Sequence, residues 1–141
     1  MQFFFDNIIL ITAAFLSGGL LLWPLVAKGS SAATLNTLGA TQLLNTQDAI
    51  LIDLREPAET AKGTPPQALH IPLSALESRI DDIKQRVSKG KQQAPVILMC
   101  QSGWRGMKAG RALKKAGIEA VFNLEGGFDA WQQAGLPVKK I

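Results

Sequence analysis

The sequence predicts an α/β domain, a parallel sheet flanked by helices, preceded by one transmembrane helix. Three observations carry this. A short apolar run without helical period, the pattern of a buried parallel strand, stands at residues 49–54, and further strands are read at 95–99 and 118–124. The stretches between them place apolar residues at helical spacing, and strands alternating with helices build parallel sheets. Ahead of them, Ile8–Ala27 holds twenty residues without a charge, which at about 1.5 Å per residue span roughly 30 Å of hydrocarbon.

The apolar run defines the domain organisation: residues 1–28 as a transmembrane anchor, 29–33 as a linker and 34–141 as the folded domain. A cleavable signal peptide is the competing reading, with Ser31-Ala32-Ala33 as its cleavage site. Against it, no Lys or Arg precedes the run, and the run exceeds the usual apolar core of roughly 7 to 15 residues. A soluble buried helix is the third. Phe3, Phe4, Phe5 and Trp23 suit the two membrane interfaces, and Pro24 kinks only the last turn. Lys28 is the basic residue flanking the run, so the positive-inside rule places the domain in the cytoplasm, on a single pass through the inner (cytoplasmic) membrane. The single cysteine fits a reducing compartment.

The folded domain follows in order. Gly29-Ser30-Ser31-Ala32-Ala33 is a small-residue linker. Thr37 is the expected cap of a short helix carrying Leu38, Leu43 and Leu44. The strand at 49–54 runs into Asp53, Arg55 and Glu56, and Pro57 opens a turn or a helix. Gly63, Pro65 and Pro66 mark a loop, and Leu69-His70-Ile71-Pro72 is too short to type. Leu76, Ile80, Ile83 and Val87 recur at helical spacing, predicting three to four turns from Leu73, capped by Ser74 and stopped by Gly90. After the strand at 95–99 comes a loop at Cys100, then a helix over 107–116 that Gly117 ends. The strand at 118–124, a tight turn at Glu125-Gly126-Gly127 and a helix with Trp131 in the core complete the domain.

The net charge is +4, with Lys84, Arg86, Lys89 and Lys91 in one cluster and Lys108, Arg111, Lys114 and Lys115 in another. They read first as solvated helix faces, and more sharply as attraction to an anionic leaflet or anionic substrate. No aromatic residues interleave with them, which argues against nucleic acid. One Cys and one His are too few for a zinc site, so no metal and no cofactor are expected.

Ligands of parallel sheets sit at the carboxyl ends of strands, where Asp53 and Arg55, Cys100 to Arg105, and Glu125 to Gly127 all fall. A thiol at a strand-to-helix turn faces backbone N–H groups without intrahelical partners, which favour a thiolate nucleophile. The loop Cys100-Gln101-Ser102-Gly103-Trp104-Arg105 contains a glycine and no β-branched residue or proline, so it can curl into an anion-binding nest. Cysteine phosphatases place five residues between cysteine and arginine; here Arg105 comes one position early and Gly106 stands in its place. The tighter cradle suits a smaller group, such as one sulfur carried on the cysteine.

These residues resemble a single-domain rhodanese. The family's loop runs cysteine, two variable residues, glycine, one variable residue, arginine, as in 100–105. Asp53-Leu54-Arg55-Glu56-Pro57 is similar to its Asp-Val-Arg and Glu-Pro segment, and Asn123-Leu124-Glu125-Gly126-Gly127 through Trp131 and Pro137-Val138 to its C-terminal signature. Thr64 and Gln67 replace a usual histidine and glycine, and an aromatic residue expected near Thr60 is missing. The resemblance implies a rhodanese-like fold and a two-step sulfur transfer of ping-pong form. Cys100 takes a sulfane sulfur from thiosulfate or a persulfide donor and passes it to a thiol or protein acceptor, or to cyanide. Gln101, Ser102, Gly103, Trp104 and Arg105 would bind the anionic donor and stabilise the persulfide, Arg105 by bidentate hydrogen bonding. Asp53 is expected as a structural acceptor, Arg55 as a partner of Glu56, Glu59 or Glu125, and His70 as a structural imidazole. The rival functions are a non-catalytic binding module that recruits a partner to the membrane, and a phosphatase.

Overall fold

The computed structural model describes residues 1–27 and 32–140. Lys28, on which the orientation argument rests, and Gly29 to Ser31 of the expected linker lie outside the described residues. The chain divides into two compact units, Met1–Ser30 and Ser31–Ile141.

The first unit holds α1 (Gln2–Asp6) and α2 (Ile8–Ala27). Asn7 interrupts them, its side-chain amide donating to the Phe3 carbonyl at 2.9 Å. Within α2 the hydroxyls of Thr12 and Ser17 donate to the carbonyls of Ile8 (2.7 Å) and Ala14 (3.2 Å), so the polar atoms of the segment fold back onto its own backbone. Ile8–Val26 is long and apolar enough to cross a membrane.

The second unit carries a five-stranded sheet in the order β1-β5-β4-β2-β3, every pairing parallel. The strands are β1 (Ala33–Leu35), β2 (Ile50–Asp53), β3 (Leu69–His70), β4 (Val96–Met99) and β5 (Val121–Leu124). The helices are α3 (Thr37–Thr46), α4 (Pro57–Thr60), α5 (Ile80–Val87), α6 (Trp104–Lys115) and α7 (Gly127–Gln133). Side chains alternate across the sheet with the strand period of two. Leu51, Ile97, Met99 and Leu124 pack with Ala40 of α3 and with Phe128 and Trp131 of α7. Ile52, Val96, Leu98 and Cys100 pack on the other face with Ile83, Val87, Ala109 and Leu113 of α5 and α6. Runs apolar at every position are therefore buried on both faces, and Trp131 is core, its indole N–H satisfied by the Pro137 carbonyl at 2.9 Å.

Four elements differ from the sequence reading. Residues 32 and 33 do not belong to a linker: Ala32 is buried and Ala33 begins edge strand β1. Small residues are needed there because Gly110 of α6 packs on Ala32, where an added Cβ would come within 2.5 Å. Asn36, not Thr37, caps α3, its side chain accepting from Gly39 N at 2.8 Å. The stretch from Leu73 is two 3-10 turns (Leu73–Ala75 and Glu77–Arg79) before α5, because Ile71 N and Leu73 N stay bonded to the carbonyls of Asp53 and Leu54. Ser74 caps no helix and reaches Glu56 at 3.4 Å. Finally, α6 begins at Trp104, three residues ahead of expectation, which puts Arg105 in its first turn.

Candidate active site

From β2 the chain moves outward to β3, and from β4 it moves the other way to β5, so the connections diverge between β2 and β4. Crevices at such switch points are where α/β sheets bind ligands. Cys100 lies there, directly after β4, buried at 1% exposure with its side chain on the face covered by α5 and α6. Gly103 reverses the chain with φ 106°, a left-handed conformation closed to most side chains, and this turns its N–H onto the Cys100 Sγ at 2.9 Å. Gly103 is also the N-cap of α6 and supplies no side-chain cap. The first-turn N–H groups of α6 therefore have no acceptor from the capping residue, beside the sulfur.

Residues outside the loop hold it, and the sequence reading had not assigned them. Phe128 N and Asp129 N, in the first turn of α7, donate to the carbonyls of Cys100 (2.7 Å) and Gln101 (3.2 Å). These bonds turn two loop carbonyls away from the sulfur. The Gln101 side chain joins Asp129 at 2.6 Å. Asn123, at the end of β5 and 5% exposed, donates to the Gly103 carbonyl at 2.9 Å, which orients the peptide between Gly103 and Trp104. Gly127, read from sequence as part of a turn at a strand's carboxyl end and of the C-terminal signature, has φ 56°, and a Cβ there would overlap the Cys100 carbonyl. Gly127→Ala is expected to cost about 2 kcal/mol or more from left-handed strain and overlap. Chemical denaturation checks this.

Asp53 and Arg55 form a buried unit of their own. Arg55 donates from Nε to Asp53 Oδ1 at 3.1 Å and from Nη2 to Oδ2 at 2.9 Å, while Thr64 donates to Oδ2 at 2.9 Å. The remaining guanidinium bonds go to the carbonyls of Glu59 (3.2 Å) and Gly63 (2.7 Å). Arg55 thus pairs with Asp53, two residues back, and not with the carboxylates of Glu56, Glu59 or Glu125: full burial demands the nearest buried counter-charge. No hydrogen bond joins either residue to Cys100, but the guanidinium lies 3.7 Å over the Phe128 ring, whose backbone N–H holds the Cys100 carbonyl. With the Arg55 backbone N–H donating to Oδ1 at 3.1 Å, Thr64, one of the departures from the family pattern, is the fourth donor to the Asp53 carboxylate. His70 Nε2 lies 2.6 Å from the Arg55 carbonyl, away from the thiol.

Arg105, 30% exposed, has its Nη2 2.8 Å from the Glu59 carboxylate. That hydrogen bond, with smaller help from the charges of Cys100 and Glu56, holds the Arg105 pKa above its ordinary value. Glu59 also occupies the cation an incoming anion would use. Glu59→Gln should therefore tighten binding of a small dianion such as sulfate at Arg105 about two- to fivefold, the scale of a half-exposed ion pair; titration at fixed ionic strength checks this. Ser102 and Trp104 are exposed, Trp104 at 81%, so the indole does not shield the thiol. Among the described residues no three His, Cys, Asp or Glu side chains cluster as metal ligands.

A parallel sheet with a cysteine loop at its switch point defines a class, and comparison with known proteins identifies it. The family model of the rhodanese-like domain matches residues 39–134. A protein of Allochromatium vinosum named sulfurtransferase is 36% identical over 97 residues, covering 69% of this chain and 84% of its own. An uncharacterized protein of Synechocystis is 41% identical over 100 residues, 70% of this chain and 52% of its own. The human single-domain sulfurtransferase superposes with a TM-score of 0.59 at 29% identity, covering 72% of this chain and 96% of its own. The chain belongs to the rhodanese-like domain family.

Proposed function

We propose that the protein is a membrane-anchored sulfurtransferase that carries a sulfane sulfur on Cys100. The observation that supports this most directly is the Gly103 N–H donating to the Cys100 Sγ at 2.9 Å, within a four-residue loop closed by the start of α6. In the loading step the Cys100 thiolate attacks the sulfane sulfur of thiosulfate; a new S–S bond forms, the old one breaks, and sulfite leaves with the electron pair. In the second step an acceptor thiolate attacks the outer sulfur, and the Cys100–S pair returns to Cys100. No net oxidant is required.

The loop donors have their largest effect on the persulfide anion, whose charge is spread over two sulfurs near the α6 N-terminus. Arg105 guides anionic donors to the loop, while Asp53 and Arg55 support it through Phe128. The segment Ile8–Val26 anchors the domain in the inner membrane with the catalytic domain in the cytoplasm, where acceptor thiols stay reduced. The test is mass spectrometry of the intact chain after exposure to thiosulfate. Gain of one sulfur atom that cyanide removes is the expected result; no gain with thiosulfate or an organic persulfide overturns the reading.

A further inference from the structure

Beside the cysteine loop the first two turns of α6 form a groove of about 510 Å³ lined by Leu73, Trp104, Arg105, Met107, Lys108 and Arg111. Trp104 is 81% and Met107 43% exposed, the largest apolar exposures flanking the loop. Trp104, Met107, Lys108 and Arg111 fall at positions i, i+3, i+4 and i+7, which share one helix face. The ion pairs among the described residues are Arg55–Asp53, Arg79–Asp82, Arg86–Asp82 and Arg105–Glu59. Lys108 and Arg111 therefore have no carboxylate partner there.

An exposed Trp and Met ringed by uncompensated cations is the composition of a protein-binding surface, in which an aromatic anchors and charge sets partner choice. It is also larger than a sulfur anion needs. We propose that this face docks a protein acceptor whose thiol is flanked by acidic residues and one apolar side chain. The apolar side chain enters between Leu73 and Met107, and the carboxylates meet Lys108 and Arg111. This seats the acceptor thiol over the Cys100 loop. Docking changes only the second step: the acceptor thiol loses its proton to solvent, its sulfur bonds the outer persulfide sulfur, and Cys100 leaves as thiolate.

The inference rests on the sulfurtransferase reading, and the experiment separates the two. Full-length protein in nanodiscs is loaded from thiosulfate, then discharged by cyanide, by a peptide with one Cys among Asp, Glu and Leu, or by its twin with Lys in place of the acidic residues. The acidic peptide should discharge the persulfide at least tenfold faster than the basic one. Lys108→Gln with Arg111→Gln should remove that preference, and added salt should erode it, while loading by thiosulfate and discharge by cyanide, themselves anions, slow only about two- to threefold, well short of the tenfold preference. Equal peptide rates in the unaltered protein overturn the docking proposal and leave the sulfurtransferase reading standing, whereas failure to load overturns both. If hydrogen exchange at residues 104–111 is slowed by anionic but not neutral nanodisc lipid, and the double variant loses that protection, the face binds membrane and the proposal is overturned.

Discussion

Cys100→Ser is expected to reduce sulfur transfer from thiosulfate by at least about 10³-fold and to abolish the gain of one sulfur atom by the intact chain. The size of the effect follows from the chemistry: a serine hydroxyl at neutral pH is a poor nucleophile and cannot hold sulfur as a persulfide. The fold has little reason to respond. Serine keeps the volume within one atom and still accepts from the Gly103 N–H, which now lies 2.9 Å from the sulfur. A change in stability of about 1 kcal/mol or less is expected for this buried position. Cys100 is the single cysteine, so a mass gain in the unaltered chain has one thiol to report on. A serine variant that still gained sulfur would remove Cys100 from the reaction.

Asp53→Asn is expected to have the largest effect on stability, about 3–5 kcal/mol, because it leaves the Arg55 guanidinium at 1% exposure without a counter-charge. The loss should appear as a lower midpoint in urea denaturation of the full chain in detergent. Adding Arg55→Met should recover part of it, since the stranded charge is then gone while most of the side-chain volume remains. Should Asp53→Asn alter the pH–rate profile at unchanged stability, Asp53 would be an acid or base and not a structural acceptor.

The central strands were legible because a strand of a parallel sheet is covered on both faces, which makes residues 49–52 and 96–99 continuous apolar runs. The edges were not. β1 is three residues at the margin of the sheet, preceded by Gly, Ser and Ala, and nothing local marks Ala32 as buried beneath Gly110. The order of elements around the cysteine was readable from local spacing, since a loop and the helix that follows it are contiguous in the chain. Its supports come from afar: Asn123 reaches Gly103 from β5, and the Phe128 N–H reaches Cys100 from α7. Such long-range bonds leave no periodic trace. The Arg55 partner was misjudged for a related reason: the sequence offers several nearby carboxylates, and only burial singles out Asp53.

The carbonyls of Cys100 and Gln101 accept from the first turn of α7, so the loop is synthesised before the segment that organises it. A nascent chain that has reached α6 already displays the thiol, yet its loop carbonyls remain free to turn toward the sulfur. The two bonds that hold those carbonyls outward exist only once Phe128 and Asp129 are in place. A chain arrested or clipped before α7 therefore contains Cys100 but lacks two of the bonds that orient its loop.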